Sequence, residues 1–332
     1  MNLATTYLGL KLPHPFMAGA SPMVDDLDLV RRLEDAGSAA IVMHSLYEEQ
    51  LAREELATHR AMEPHAQAFA EAASYWPSPA AFALGPNEYL EQIRRIKVAV
   101  AVPVIASLNG STAGGWLRYA ALMEDAGADA LELNLYAIPT DLTRAGAAVE
   151  QSGIEIVQAV VSQVRIPVAV KLSPWYSAFG HFARQIDAAG ARGIVLFNRF
   201  YQADIDPEQL EVRSRLKLSH SGELLPRLTW LGILSGQIQA SLAVTGGVHT
   251  ATDAVKAVMA GADAVQLVSA LLRHGPERLS LVREGFRQWL IEHEYEGIDQ
   301  LRGSMNLRRC PDPAGFERAQ YLHVLQSWRH AH

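Results

Sequence analysis

Residues 241–276 read SLAVTGGVHTATDAVKAVMAGADAVQLVSALLRHGP. The segment divides into strand, glycine turn, helix, strand and a short turn into another helix. Ser241–Thr245 is apolar and stops at Gly246-Gly247. Across Ala251–Met259, Ala, Val and Met recur at helical spacing. Gly261 closes that helix, because glycine enters the left-handed conformation without a Cβ clash. Ala264–Ser269 is too short for an independent helix and rich in valine, so it reads as a second strand. The paired glycines bare the backbone just past a strand end. N–H groups there suit an anion such as phosphate, and (β/α)8 barrels often build such a site from the loops after strands seven and eight. On these residues alone, a simple tight turn is an equally good reading.

The helix–Ala-Gly–strand unit recurs. EDAG-SAAIVMH ends its helix at Gly37, EDAG-ADALELN at Gly127, DAAG-ARGIVLFN at Gly190 and VMAG-ADAVQLV at Gly261. Each apolar run suits a strand buried on both faces. VPVIASL and IPVAVKL each carry a proline near the start, where a strand tolerates it. With PFMA and SLAVT they complete a series at 15–19, 39–44, 102–108, 130–136, 167–172, 193–198, 241–246 and 264–269. Eight strands with helices between them predict a closed (β/α)8 barrel, a TIM barrel, in preference to a doubly wound open sheet. TTYLGLKLPHP alternates around Gly9 and predicts an N-terminal hairpin covering the barrel bottom. Long connections at Ser45–Pro86 and Arg199–Leu224 follow strand ends, where such barrels place substrates. The expected organisation is one domain over 1–332, with a barrel core at about 15–290 and a C-terminal helical tail, 291–332, packed on it.

The chain has 332 residues, 49% of them hydrophobic and 20% charged, the balance of a globular protein with a sizeable core. A net charge of −7 and the lack of a Lys/Arg run argue against nucleic acid. The single cysteine, Cys310, excludes an internal disulfide framework and an iron–sulfur cluster held by this chain alone, and fits a reducing cytoplasm. Lys11, Pro13, His14 and Pro15 break the N-terminal apolar run, so no signal peptide is expected, and no window approaches ~18 uninterrupted apolar residues, so no membrane span is expected.

Polar residues stand at the ends of nearly every strand: Ser21, His44-Ser45, Asn109, Asn134, Lys171 with Ser173, Asn198-Arg199, Thr245 and Ser269. One asparagine at a strand end is usually a turn former. Three, with a lysine, shift the reading towards a site at the barrel mouth. Lys171 ends the apolar strand VAVKL and must meet an anion, a carbonyl or an electron-rich ring. A Schiff base, a phosphate contact and a charge beside a cofactor all remain open to it. His249 and His274 near the glycine turn read as solvated loop histidines, and no His/Cys/Asp spacing predicts a metal.

PFMAGASP, ADALELNLY, IPVAVKLSP, GIVLFN and the 241–276 stretch, in this order and spacing, resemble the dihydroorotate dehydrogenase family, its soluble class 1 and dihydroorotate dehydrogenase-like members. The resemblance spans about residues 5–290. It implies an FMN-binding barrel oxidoreductase acting on CH–CH groups, in pyrimidine biosynthesis. Ala20, Ser21 and Ser45 would lie along the flavin, and Asn109 and Asn134 would line the flavin and substrate side. Lys171 would meet the N1/O2 edge, where positive charge stabilises the reduced ring. Gly222, Gly246, Gly247 and Ser269 would hold the phosphate. Asn134 and Asn198 would bind a planar amide- or carboxylate-bearing substrate. A small-molecule substrate and a homodimer are the expected partners, with the electron acceptor open.

Departures cluster on the substrate side. Where the family reads Asn-Leu-Ser-Cys-Pro-Asn, with cysteine as base, this chain reads Asn134-Leu135-Tyr136-Ala137-Ile138-Pro139. His44 replaces a lysine, and Val268-Ser269 a Gly-Thr phosphate pair. Dihydroorotate is therefore doubtful as substrate. Tyr136 and His44 are the candidate bases, although Tyr136 could stack and His44 could be a satisfied strand-end imidazole. Two other functions compete: a flavin-free phosphate-binding lyase or aldolase using Lys171, and a non-catalytic FMN-binding protein.

Overall fold

The computed structural model describes residues 1–50, 85–110, 117–199, 203–214, 216–318, 320–321, 324 and 327. The chain opens with β1 (Thr5–Tyr7), β2 (Leu10–Leu12), β3 (Phe16–Ala18), α1 (Leu27–Asp35), β4 (Ile41–Tyr47), α2 (Pro86–Ala99) and β5 (Val104–Asn109). It continues through α3 (Leu117–Asp125), β6 (Ala130–Asn134), α4 (Gly146–Gln163), β7 (Val168–Leu172), α5 (Phe179–Ala188) and β8 (Gly193–Leu196). A hairpin, β9 (Ala203–Asp206) and β10 (Glu211–Ser214), precedes α6 (Leu225–Leu234), β11 (Ser241–Thr245), α7 (Ala251–Ala260) and β12 (Ala264–Leu267). The last helices are α8 (Ser269–His274), α9 (Arg278–Glu292) and α10 (Ile298–Leu301).

Eight strands, β3 to β8 with β11 and β12, close into a barrel, and every pairing in it is parallel. The expected α/β barrel is therefore present. The glycines that end the repeat units all have positive φ: 82° at Gly37, 99° at Gly127, 100° at Gly190 and 123° at Gly261. Each reverses the chain at a helix end and returns it to the next strand. Thr250 caps α7 reciprocally with Asp253.

Two apolar layers follow from strand alternation. Leu131, Leu133, Val168, Val170, Ile194, Leu196, Val244 and Val265 face the helices. Ala130, Ala169, Val195, Ala243 and Ala264 face the lumen, packed with Tyr7, Leu8 and Leu12 of the hairpin. The lumen residues are small because the hairpin fills their space. A Cβ on Gly193 would lie 2.4 Å from Leu8 Cδ2. The turn at Leu8 (φ 57°) and Gly9 (φ 80°) has two positive φ values in succession, as a tight type I′ hairpin requires.

Between Arg199 and Leu224 the predicted loop carries β9 and β10, which the sequence pattern had not marked as strands. The other long connection, Ser45–Pro86, lies largely outside the described residues; within them β4 runs on to Tyr47. The tail packs on the barrel at least to Phe316. Arg302 bonds Thr5 (2.9 Å) and Asp263 (3.2 Å), and Asn306 bonds Ser235 (3.2 Å). Half of its final amphipathic stretch, 317–328, lies outside the described residues.

Candidate active site

A cavity of about 360 Å3 opens at the C-terminal mouth of the barrel. Ala20, Ser21, His44 and Ser45 line it from β3 and β4. Asn134, Lys171, Asn198, Gly246 and Ser269 line it from the later strands. Asn109, Tyr136, Gly222 and Gly247 lie outside this lining. Adjacent residues of a strand normally face opposite ways, yet His44 and Ser45 both reach the cavity. A register shift between Val42 and Ser45 in the β4–β5 pairing explains it. Tyr89 of α2 anchors the irregular stretch, its hydroxyl donating to His44 O at 2.8 Å and accepting from Ser107 N at 3.0 Å. Burial pushes that hydroxyl well above the usual tyrosine range, so it stays neutral.

Lys171 comes from β7, opposite Asn134 of β6 in the register. Its Nζ donates to Glu132 Oε1 at 3.0 Å, and Gln266 Nε2 donates to Glu132 Oε2 at 2.7 Å. All three side chains are buried. Asn198 Nδ2 donates to Asn134 Oδ1 at 2.7 Å. That leaves the Asn134 amide nitrogen to donate and the Asn198 oxygen to accept.

His44 lies edge-on to Tyr89. Its Nε2 is 2.8 Å from Asp25 Oδ1, and Nδ1 is 3.3 Å from Ser45 O. Asp25 also lines the cavity, at the end of a 3-10 turn (Pro22–Asp25) that follows Ser21. An imidazole paired with a carboxylate at a cavity wall can carry a proton in either direction. Ala137 is exposed on the loop after β6 and is not among the residues lining the cavity.

Another part of the cavity lining is built around Arg227 of α6, which the sequence had not singled out. Its guanidinium is buried and donates to the carbonyls of Thr245 and Glu223. Burial pulls it down to about 10, with Glu223 opposing and Arg199 reinforcing, so it remains a cation at neutral pH. Gly246 (φ 79°) passes so close that an added Cβ would sit 2.9 Å from Arg227 Nη2. A Cβ on Gly247 would meet the backbone of Leu224 at 2.5 Å. Gly247 N donates to Ser219 Oγ (3.3 Å), Ser219 N to Ser269 Oγ (3.0 Å) and Gly222 N to His220 Nδ1 (3.2 Å). His249 is not a solvated loop residue: it is buried, with Nε2 3.0 Å from Ser219 Oγ. Burial and then Arg273 lower its pKa. His274 is exposed, as expected. A buried cation, a hydroxyl and backbone that only glycine can form suit the phosphate of a nucleotide cofactor.

No group of three or more potential metal ligands occurs among the described residues, and no helix among them is long and apolar enough to cross a membrane. The family model described as dihydroorotate dehydrogenase matches residues 82–290. A putative dihydroorotate dehydrogenase A (fumarate) of Aeropyrum pernix is 32% identical, over 66% of this chain and 72% of that protein. The catalytic subunits of dihydroorotate dehydrogenase B (NAD(+)) from Thermoplasma volcanium and Thermoplasma acidophilum are 27% and 25% identical, each over 91% of this chain and 98% of theirs. A closed parallel barrel, a cavity at its C-terminal mouth and these matches agree, and the chain belongs to the dihydroorotate dehydrogenase family.

Proposed function

We propose that the protein is an FMN-dependent oxidoreductase acting on a CH–CH group of a small planar molecule bearing an amide or carboxylate. One observation carries the reading: a single cavity is lined by Lys171, by the paired amides of Asn134 and Asn198, and by Arg227 beside the glycine backbone at Gly246. When bound, FMN supplies hydride exchange at its N5. Gly246, Ser269 and Arg227 hold its phosphate, with Gly247 and Gly222 shaping the backbone around it. Ala20, Ser21 and Ser45 flank the ring, and Asn109 supports that wall from β5. Lys171 sets positive charge at the ring's N1/O2 edge. Asn134 and Asn198 orient the substrate through one free donor and one free acceptor.

His44, backed by Asp25, handles the substrate proton in this reading. Tyr136 lies outside the cavity lining and is the weaker candidate. The aldolase alternative loses ground on the Glu132 contact. A Schiff-base lysine must be free to attack a carbonyl, whereas Lys171 Nζ is held 3.0 Å from Glu132 Oε1 in a buried ion pair.

The test is the absorbance spectrum of the purified protein, followed by anaerobic addition of candidate substrates. The expected result is about one flavin per chain, lost in Arg227→Gln. A colourless protein that takes up no added FMN would overturn the proposal. Bound flavin that no member of the substrate panel reduces would instead favour the non-catalytic FMN-binding role.

A further inference from the structure

Glu132 is a buried carboxylate that the steps above leave without a task. It stands on β6 two residues before Asn134, so both side chains point into the lumen. The side chain is 1% exposed, and each oxygen has one donor: Lys171 at 3.0 Å and Gln266 at 2.7 Å. Lys171 has no other hydrogen-bond acceptor among the described residues. The Tyr7 hydroxyl is also buried and has no hydrogen-bond partner among the described residues; burial raises its pKa, and the charges of Glu132 and Asp263 add to the effect. The lumen thus carries a linked set of buried polar groups, Lys171, Glu132 and Gln266, inside walls otherwise lined mainly by Ala and Val.

A barrel can close without such a residue. A lone charge here costs several kcal/mol, so the carboxylate and the ammonium must be retained together. Two consequences follow for the cavity. The ammonium rides on a flexible four-carbon stem, and the ion pair fixes where it points. The carboxylate also cancels much of the field that Lys171 projects across the cavity, because the two opposite charges lie 3.0 Å apart.

We propose that Glu132 is a positioning residue, the counter-ion that sets how much positive charge Lys171 presents to the flavin ring. This rests on the FMN reading above. Reduction adds electron density at the ring edge that Lys171 faces. By offsetting the ammonium, Glu132 lowers the flavin's midpoint potential and makes the reduced protein a stronger hydride donor. A carboxylate serving packing alone would leave the potential unchanged.

The experiment is an anaerobic redox titration of the FMN-loaded wild type, Glu132→Gln, Lys171→Gln and the double variant. Glu132→Gln should shift the midpoint potential positive, and Lys171→Gln should shift it negative. The double variant, neutral like the original pair, should return close to the wild type. It also leaves no buried charge unpaired, so it folds even where a single variant does not. FMN bound to Glu132→Gln at the wild-type potential overturns the inference. So does a folded, flavin-loaded double variant far from the wild-type value. A wild type that takes up no FMN overturns the functional reading itself, and this inference with it.

Discussion

His14 makes the stability of the barrel depend on pH. The residue leaves the N-terminal hairpin, is buried, and accepts from Phe16 N at Nδ1 (3.3 Å). Its Nε2 lies 3.4 Å from Arg283 Nη1. Burial first and Arg283 second pull its pKa from 6.5 to about 4, while a contact with Gly37 opposes them. Below 6.5 the unfolded chain takes up a proton that the folded chain refuses, so stability falls as pH drops from 6.5 to about 4. The full shift amounts to at most about 3 kcal/mol. Denaturation midpoints of the wild type should fall through this window, and those of His14→Gln should fall less. Parallel curves for the two proteins would remove His14 as the source. At this scale the sequence is uneven evidence. Lys171 is conspicuous because a charge ends an apolar strand. Glu132 carries the same signal in ALELN, two places before Asn134 and so on its face, but its meaning depends on a partner 39 residues away. Arg227 and Ser219 carry no local signal, since only tertiary packing turns them to the cavity.

Among the elements, the hairpin and the lumen wall are fitted to each other. Alanines on β6, β7, β11 and β12, with Gly193 on β8, leave the room that Tyr7 and Leu8 fill. Gly193→Ala puts a methyl 2.4 Å from Leu8 Cδ2, and overpacking of this kind costs about 1–3 kcal/mol. Leu8→Ala alone empties the site and costs about 2–5 kcal/mol. The double variant should lose less than the sum of the two, because each change relieves the other. Strict additivity in urea denaturation would show that the hairpin does not plug the lumen through this contact. The hairpin and all eight barrel strands are legible from alternation, glycine stops and proline starts, with ends that differ by a few residues. β9 and β10 are not, because ADID and Glu211–Arg213 bury no face and so show no apolar period. The register shift that brings both His44 and Ser45 to the cavity is likewise invisible in IVMHSLY, since it is a property of the pairing with β5.

For the molecule as a whole, the proposed FMN site together with the departures at the substrate-side loop predicts the response to dihydroorotate. The family's cysteine base has its counterpart at Ala137, which has no titratable atom and sits exposed outside the cavity lining. Pro139 removes a further polar contact from the same loop. A general base contributes about 10²–10⁴-fold to such reactions. Stopped-flow mixing with dihydroorotate should therefore reduce the bound flavin at least ~100-fold more slowly than in a cysteine-bearing relative. Whatever rate remains should depend on His44 and Asp25. His44→Ala should abolish it while flavin stays bound, and Tyr136→Phe should leave it unchanged. Ala137→Cys should recover little, because residue 137 is exposed and lies outside the cavity lining. Flavin reduction as fast as in a cysteine-bearing relative would refute the prediction and place an efficient base in this cavity. Loss of that fast phase in His44→Ala would then assign it to the imidazole, and loss in Tyr136→Phe to the phenol.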